Sequence, residues 1–375
     1  MKNRKVCHFA SVHTTTDTRV FHRECVSLAK HFDVTYIGIG NNTGIIDGVN
    51  VIAIPKPPSR IYRLLFVTWN VFFLALKQRA QIYHIHDAEL IPFAFVLSVM
   101  GKKVIYDVHE NTYQDIMHKP WIPFYLRWFL GKLCRVLEWI AANSMHIILV
   151  IAKPEFAKRF IVKKYSIIQN FADLTLLRPY VIKNRASLPE NNLFYMGMVT
   201  DYYYNLLPVI KAIALLKRQG TIVHFHCVGY IGNYIDAKLS KHEAYQAIQD
   251  QLHFYGYKSV AAGFEISKKC KFGICIKNQP EEILVSHERK FFEYMAIGLP
   301  IISCDSHIYK NIVDQYQIGL VVNIASEHDI ADAITQMLRT DLDEYAQNGI
   351  KACSTHFNWQ SQSDVLIDLY NQLLV

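Results

Sequence analysis

Charged residues and cysteine pairs are both scarce in this sequence of 375 residues. Charged residues make up 19% of the chain and hydrophobic residues 51%, a balance that excludes an intrinsically disordered protein. The eight cysteines are scattered and form no Cys-x-x-Cys pair. We therefore expect reduced, buried thiols, which are typical of a cytoplasmic protein.

Long hydrophobic runs are also absent. The longest apolar stretches, 64–76 and 90–100, contain 13 and 11 residues, whereas a helix needs roughly 20 to span a bilayer. The basic N-terminus turns polar by His13, too early for the apolar region of a signal peptide. The sequence thus predicts neither a transmembrane segment nor export.

The positive charge is not concentrated in runs. The chain has 40 Lys and Arg against 32 Asp and Glu, a net charge of +8, and its densest basic clusters are short. A nucleic-acid-binding protein of this charge usually carries longer Lys/Arg runs, so no nucleic-acid partner is predicted. The surplus is either spread over the surface or directed at an anionic membrane or substrate.

Short apolar segments alternate with helical patterns in both halves of the chain, which predicts an α/β protein with parallel, doubly wound sheets. The alternation stops near Asn170, so we predict two domains, 1–172 and 190–359, joined by a linker at 173–189. The predicted strands are 6–12, 34–39, 49–54, 82–86, 104–108 and 147–151, then 193–196, 223–228, 253–255, 273–276 and 300–303. Open α/β sheets bind ligands beyond the carboxyl ends of their strands, so we expect the functional residues in the strand-to-helix loops.

The loop after the first strand carries His13, Asp17 and Arg19. These side chains suit a polyhydroxylated ligand or an anion near a helix N-terminus. The alternative is structural, because Asp17 or Thr18 is also suited to cap the following helix.

Two later strands of the first domain end in histidines. His84-x-His86-Asp87 closes one strand, and the next is followed by His109 and Glu110, so these groups should be neighbours at one sheet edge. A metal site needs at least three converging ligands, so no metal is expected here. A functional crevice is favoured, with a structurally hydrogen-bonded imidazole as the alternative.

The most specific stretch of the second domain runs from Ser286 to Pro300. Gly298 fits a helix C-terminal cap before an apolar strand. Lys290 and Glu293 share a helical face, where a lysine suits a phosphate and a carboxylate suits ribose hydroxyls, unless they form only a solvated salt bridge. The pairs His224-x-His226 and Cys270-x4-Cys275 are interpreted as core residues.

With these residues assembled, the sequence resembles the family-four glycosyltransferases of the GT-B fold, particularly the bacterial type that builds capsule, O-antigen or exopolysaccharide. The resemblance runs nearly end to end. Its motifs are Asp17-x-Arg19-x-Phe21, the stretches 83–90 and 104–110, Lys119-Pro120-Trp121-Ile122-Pro123, Gln169-Asn170-Phe171, Lys290-x-Phe292-Glu293-Tyr294-Met295-Ala296-x-Gly298-x-Pro300 and Phe357-Asn358-Trp359.

The resemblance implies two tandem Rossmann-like domains that face each other across a cleft, with the last helix, about 360–375, packed back on the N-terminal domain. It implies an acceptor in the N-terminal domain and a nucleotide-sugar donor in the C-terminal one. Transfer would be metal-independent, with retention at the anomeric carbon, and no cofactor is expected. The lack of an Asp-x-Asp motif agrees with this.

The resemblance also assigns roles to residues. His109 would lie beside the transferred sugar, Glu293 would bind the nucleotide ribose and Lys290 would neutralise the diphosphate, whose negative charge grows in the transition state. The donor site would further include Gly197, Thr200, Ser286 and Phe292. The acceptor side would include His13, Asp17, Arg19, His86, Asp87 and Glu110.

Two positions depart from the family pattern. The family pairs two glutamates eight positions apart, but the position eight before Glu293 is Val285. After Gly197 the family usually has Arg or Lys and then Gly, whereas this loop continues with Asp201 and three tyrosines. Loss of a charged donor to a diphosphate would cost about two to three orders of magnitude in rate.

We therefore predict a retaining glycosyltransferase that moves a hexose-type sugar onto a lipid-linked or saccharide acceptor in bacterial surface polysaccharide synthesis. One alternative is a weak or silent homologue that serves as partner subunit of an active enzyme. Another is a GT-B sugar-nucleotide epimerase. The segment 290–300 resembles glycosyltransferases and so argues against this alternative.

Two stretches that interleave basic and aromatic residues, 60–66 and 119–129, predict peripheral attachment to the inner face of the cytoplasmic membrane. Core helices with cationic rims are the alternative interpretation.

Overall fold

A computed structural model describes residues 4–108, 111–118, 122–144, 146–152, 157, 164–200, 204–276 and 288–374. The chain divides into two compact units. The first comprises Met1–Asn170 and Trp359–Val375, and the second comprises Phe171–Asn358. Each unit has its own sheet.

The first unit is built on a sheet of eight described strands. They are β1 Lys5–Thr14, β2 Asp33–Ile39, β3 Gly44–Ile46, β4 Val49–Ile54, β5 Ile82–Ile85, β6 Lys103–Val108, β7 Ile147–Ile151 and β8 Tyr165–Ile167. Their order is β3-β4-β2-β1-β5-β6-β7-β8, and all pairs are parallel except β3 with β4. Residues 6–11 of β1 and all of β5 are buried because parallel sheets are covered on both faces.

Helices cover this sheet. The described ones are the π-helical segment Thr18–Cys25 leading into Val26–Ala29, Arg60–Tyr62 with π-helical Arg63–Val67 and Thr68–Lys77, the 3-10 turn Ala88–Leu90, Ile91–Val99, Thr112–His118, Phe124–Asn143 and Trp359–Leu373. Among the described residues, no helix combines the length and hydropathy needed to cross a bilayer.

The last helix, Trp359–Leu373, contributes to the core of the first unit. The Trp359 indole donates a hydrogen bond to Ser27 Oγ at 2.9 Å. Leu366 and Tyr370, further along the helix, are fully buried. The chain thus returns to the first unit after the second is complete.

The second unit has six described strands, all parallel. They are β9 Asn192–Met196, β10 His224–Val228, β11 Leu252–Phe254, β12 Phe272–Cys275, β13 Ile301–Cys304 and β14 Gly319–Val322, in the order β11-β10-β9-β12-β13-β14. Its described helices are Leu174–Leu177, Arg178–Tyr180, Leu207–Arg218, Asn233–Ser240, Glu243–Ala247, Gln249–Gln251, Val260–Ser267, Arg289–Ala296, His307–Tyr316, Glu327–Arg339 and Leu342–Thr355.

The segment predicted to be a linker, 173–189, is part of the second unit instead. Its Arg185 is fully buried and donates hydrogen bonds to four backbone carbonyls, those of Ser267, Cys270, Ile297 and Gly298. The segment contains only the short helices Leu174–Leu177 and Arg178–Tyr180, which are too short to produce a periodic apolar pattern.

Candidate active site

In the second unit, the loops after β9 and β10 are pressed together. The Gly197 amide donates to the Val228 carbonyl at 2.9 Å. Gly229 has φ of +151°, and a Cβ at this position would lie 1.8 Å from the Gly197 carbonyl oxygen. Glycine is therefore required at Gly229, and the two strand ends form one compact surface.

Lys290 supplies positive charge beside Gly197. It lies in the first turn of the helix Arg289–Ala296, and a Cβ at Gly197 would be 3.1 Å from its Nζ. The ammonium lies 4.5 Å and 4.6 Å from the ring centroids of Tyr195 and Tyr204, and its side chain is only 11% exposed. The cation missing from the Gly197 loop in the sequence is thus supplied by a residue 93 positions later.

Glu288, which the sequence did not indicate, forms an ion pair with this lysine. Its Oε2 is 2.9 Å from Lys290 Nζ, and its Oε1 accepts a hydrogen bond from the Tyr204 hydroxyl at 2.7 Å. Burial lowers the pKa of Lys290, but the charge of Glu288 outweighs this and the pKa lies well above its usual value. The signal in the sequence is an acidic residue at the N-cap of the helix that carries Lys290.

Glu293 pairs with Arg289 rather than with Lys290. The Arg289 Nε lies 3.0 Å from Glu293 Oε1, one helical turn away, and Glu293 is buried. The salt bridge between Lys290 and Glu293 that the sequence left open is therefore replaced by two separate ion pairs.

Two other predicted donor residues have structural partners. The Phe292 ring packs against the rings of Phe171 and Phe357, with centroids 4.7 Å and 5.2 Å away, so it lies in the core and offers no surface to a donor. The Thr200 hydroxyl accepts a hydrogen bond from the Tyr204 amide at 3.1 Å and so shapes the loop after Gly197.

In the first unit, Asp87 binds the C-terminal part of β1. One of its oxygens accepts hydrogen bonds from the amides of Ser11 and Val12, at 2.7 Å and 3.0 Å, and the other lies 2.9 Å from His13 Nδ1. Burial raises the pKa of Asp87, but the hydrogen bond and charge of His13 and the two amides outweigh it and lower the pKa to about 2.

His13 is a cation at neutral pH. Burial lowers its pKa, but the hydrogen bond and the charge of Asp87 raise it further, to about 9. His13 therefore offers positive charge to an acceptor, and it holds its proton too tightly to act as a general base near pH 7.

Asp17 and Arg19 have structural roles. Asp17 Oδ1 accepts from the amides of Arg19 and Val20, both at 2.8 Å, which makes it the helix cap that the alternative interpretation proposed. The buried Arg19 guanidinium donates to both oxygens of Asp107, at 3.1 Å and 3.0 Å. The prediction that these two side chains form the acceptor surface is therefore not met by their contacts.

A cavity of about 520 Å³ opens beside His13 and Asp87. His86, Glu89 and Asp107 add to its polar end, and Arg63 binds both oxygens of Glu89 at 2.9 Å. Its other walls are apolar and include Leu64, Ile116, Ile122, Leu130, Leu133 and Leu137. Of the predicted acceptor-side residues, His13, His86 and Asp87 line this cavity.

Three of the predicted site residues, His109, Glu110 and Ser286, lie outside the described residues, as do Asp201 and the two tyrosines that follow it.

Comparisons with known proteins agree with this architecture. Residues 190–340 match the family described as "Glycosyl transferases group 1". Sucrose-phosphate synthase from Thermosynechococcus elongatus has a TM-score of 0.72 at 15% identity, with 99% of each chain covered. Anabaena HepE, solved with UDP, has a TM-score of 0.72 at 13% identity, covering 98% of this chain and 100% of that one.

A third solved structure is WaaG, a glycosyltransferase involved in lipopolysaccharide biosynthesis, with a TM-score of 0.67 at 14% identity, covering 97% of this chain and 98% of that one. No match was found among curated protein sequences.

The two parallel-sheet units and these likenesses define a protein of the GT-B fold. Residues 190–340, in the second unit, are similar to the group 1 glycosyltransferases, in agreement with the sequence resemblance.

Proposed function

We propose that this glycosyltransferase takes a sugar from a nucleoside diphosphate sugar bound at the Gly197 and Lys290 surface and transfers it to an amphiphilic, lipid-linked acceptor bound in the cavity of the first unit. The reaction proceeds with retention and without a metal at the reacting centre. Its product belongs to bacterial surface polysaccharide. HepE was solved with UDP and with UDP-glucose, and WaaG is involved in lipopolysaccharide biosynthesis, which supports both halves of the proposal.

The position of Lys290 carries the donor half of this proposal. A nucleoside diphosphate gains negative charge as it leaves the sugar, and a buried, preorganised cation stabilises that charge more than an exposed one does. Lys290 lies at the ends of parallel strands, where α/β sheets bind ligands, and beside a glycine that lets a phosphate approach the backbone.

The cavity of the first unit supports the acceptor half. Its polar end suits sugar hydroxyls, while its apolar walls suit the lipid. His13, protonated at neutral pH, adds a positive charge for the phosphate of a lipid-linked saccharide.

Binding of UDP and UDP-sugars to the full-length protein tests the donor site. By calorimetry, we expect Lys290→Met to weaken UDP binding about 10- to 100-fold, because a charge-assisted contact to phosphate contributes about 1.5–3 kcal/mol. The matched control is Lys268→Met, which removes an exposed lysine paired with Glu265 and should bind like the wild type.

The silent partner subunit is the competing outcome of the same experiment. If the folded wild type binds no nucleotide or nucleotide sugar, the active-enzyme proposal fails and the partner role stands. If it binds them but the Lys290 variant binds equally well, the donor site lies elsewhere in the chain.

We further propose that the first unit docks on the cytoplasmic face of the membrane. Both stretches predicted to be interfacial expose large apolar side chains over their described residues. These are Ile61, Tyr62, Leu64, Leu65 and Phe66, and Phe124, Tyr125, Leu126, Trp128 and Phe129. Apolar surface on this scale is typical of a membrane or protein contact, and the interspersed arginines favour anionic lipid.

Co-sedimentation with vesicles tests this docking. The wild type should sediment with vesicles that contain anionic phosphatidylglycerol and less with neutral ones. Replacing Phe124 and Trp128 by Glu should abolish sedimentation with the vesicles. The control is Tyr257→Glu in the second unit, which should still sediment. Its side chain is 83% exposed, similar to the 80% of Phe124. Equal recovery with neutral and anionic vesicles would contradict the proposal.

A further inference from the structure

Four potential metal ligands converge inside the first unit. His8 on β1 is paired in parallel register with His84 on β5, and His86 lies on the same side of the chain as His84 because strand side chains alternate. Glu24, on the segment Thr18–Cys25, completes the group. One ligand atom from each of these four residues lies within 4.8 Å of the others.

Two of these side chains have buried polar atoms without a hydrogen-bond partner among the described residues. They are both carboxylate oxygens of Glu24 and Nε2 of His84. Glu24 does have charged neighbours: Arg19 Nε lies 3.1 Å from its Oε1, His86 Nδ1 lies 4.0 Å from its Oε2, and the Asp107 carboxyl is within hydrogen-bonding reach. Buried polar groups are nearly always satisfied in proteins, and a bound ion would satisfy His84 Nε2 and the Glu24 carboxylate together.

One ring nitrogen of each of the three histidines has a neighbouring oxygen. Tyr370 Oη lies 2.7 Å from His84 Nδ1 and 3.0 Å from His8 Nε2, and Asp107 Oδ2 lies 3.4 Å from His86 Nδ1. Metal-binding histidines characteristically donate their second N–H to such partners, which orients the ring.

The other ring nitrogens of His8 and His86 form a hydrogen bond with each other. His8 Nδ1 and His86 Nε2 are 2.9 Å apart. Two ligands of a tetrahedral zinc ion, each bonded at about 2.0–2.1 Å, are separated by roughly 3.3 Å. A small movement therefore converts the present contact into one edge of a coordination tetrahedron.

We propose that His8, Glu24, His84 and His86 bind a zinc ion. The ligand atoms would be Nε2 of His84, one ring nitrogen each of His8 and His86, and a carboxylate oxygen of Glu24. Three imidazoles and one carboxylate form a donor set that suits zinc.

The ion has a structural role, because all four ligands are side chains that are at most 2% exposed and no coordination position remains open for a substrate. The site ties β1, β5 and the segment that carries Glu24 to one another, next to the pair Arg19–Asp107 and to Tyr370 of the last helix. The bound ion would fix the positions of residues that line the acceptor cavity, among them His86 and, beside it, Asp107.

The metal content of the full-length protein tests this proposal. The protein is produced in zinc-supplemented medium, purified without a metal-affinity tag and analysed by elemental mass spectrometry. We expect about one zinc per chain in the wild type and less than a tenth of that in Glu24→Gln and His84→Asn. The control is His253→Asn, from the separate histidine cluster of the second unit, which should keep the wild-type content.

Cobalt(II) gives a second measurement on the wild type alone. Added to the chelator-treated protein, it should produce the visible absorption bands of a tetrahedral site, and zinc should remove them. Chelator treatment should also lower the melting temperature by several degrees, with recovery on zinc addition. The cobalt spectrum and the melting temperature of the wild type test the proposal even if a variant fails to fold.

Three results would overturn the proposal. They are zinc far below one per chain in the wild type with no cobalt bands, an unchanged melting temperature after chelation, or equal zinc loss in the His253 variant and in the His84 variant.

Discussion

Asp87 shows at the residue scale how one side chain fixes the end of a strand. Its carboxylate accepts hydrogen bonds from two backbone amides and binds His13, so the C-terminal part of β1 is held beside the end of β5. The same carboxylate keeps His13 protonated at neutral pH. Position and charge at the mouth of the cavity therefore depend on a single residue.

Replacing Asp87 by Asn should lower the pKa of His13 from about 9 toward its ordinary value of 6.5, because the negative partner is lost. It should also destabilise the protein by about 1–3 kcal/mol, since an amide cannot accept all these hydrogen bonds. NMR titration of His13 and urea denaturation measure the two effects. Asp47→Asn, at an exposed aspartate, is the control and should change neither.

The pH dependence of stability follows from the same pair. The folded pKa of His13 is raised, so its contribution is present below about pH 6.5 and is lost as the pH rises through about 9. The folded pKa of Asp87 is lowered from 3.8, so its contribution is present above that pH and is lost as the pH falls through about 2. A wild type and an Asp87→Asn variant with parallel stability curves would contradict this pairing.

At the scale of elements, the segment before β9 behaves as part of a domain. Arg185 has no acidic residue among its hydrogen-bond partners and instead donates to four carbonyls, at the ends of the helices Val260–Ser267 and Arg289–Ala296. Burial lowers its pKa to about 10, which leaves it charged at neutral pH. The segment thus caps two helices from outside their own sequence.

Arg185→Met should destabilise the second unit by about 3–5 kcal/mol, because it leaves buried carbonyl groups without donors. The helix that carries Lys290 and Glu293 ends at these carbonyls, so UDP affinity should fall as well. Calorimetric unfolding measures the first effect and titration calorimetry the second. Arg178→Met removes an exposed arginine of the same segment, and a similar loss there would show that burial is not the cause.

At the scale of the whole molecule, two separate cores are built from one chain that returns to its starting unit. The last helix buries Trp359, Leu366 and Tyr370 against the first unit, and its Trp359 donates a hydrogen bond to Ser27, 332 residues earlier in the chain. The first unit is therefore complete only when the chain end has been added to it.

Leu366→Ala should destabilise the first unit by about 2–5 kcal/mol through loss of buried surface and formation of a cavity. Its neighbour Val365 is largely exposed, so Val365→Ala should change stability by less than about 0.5 kcal/mol. Urea denaturation followed by tryptophan fluorescence measures both. A Leu366 variant as stable as the Val365 variant would show that the last helix does not stabilise the first unit.

Most of the regular fold could be predicted from the periodicity of apolar residues. All eleven predicted strands occur within one or two residues of their observed bounds. The three described strands that were missed, β3, β8 and β14, have only three or four residues and lie at sheet edges, although β11, which is equally short and also at an edge, was predicted. The irregular segment 173–189 was misjudged because its contacts are made by one buried arginine rather than by a periodic face.

The candidate site could be predicted less well, because charge pairing depends on packing. Lys290 and Glu293 were singled out as candidate ligand residues on one helix, but their ion-pair partners, Glu288 and Arg289, were not identified. Asp17 and Arg19 looked like ligand residues from their composition alone and prove to be a cap and a buried ion pair.

The sequence by itself determined the alternation of strands and helices, the GT-B resemblance and the strand ends that carry polar residues, since these depend on neighbours along the chain. The tertiary structure decided which of those residues meet. Lys290 reaches Gly197, and His8 and Glu24 join a His-x-His pair, only because parallel strand register and helix packing bring together residues far apart in sequence.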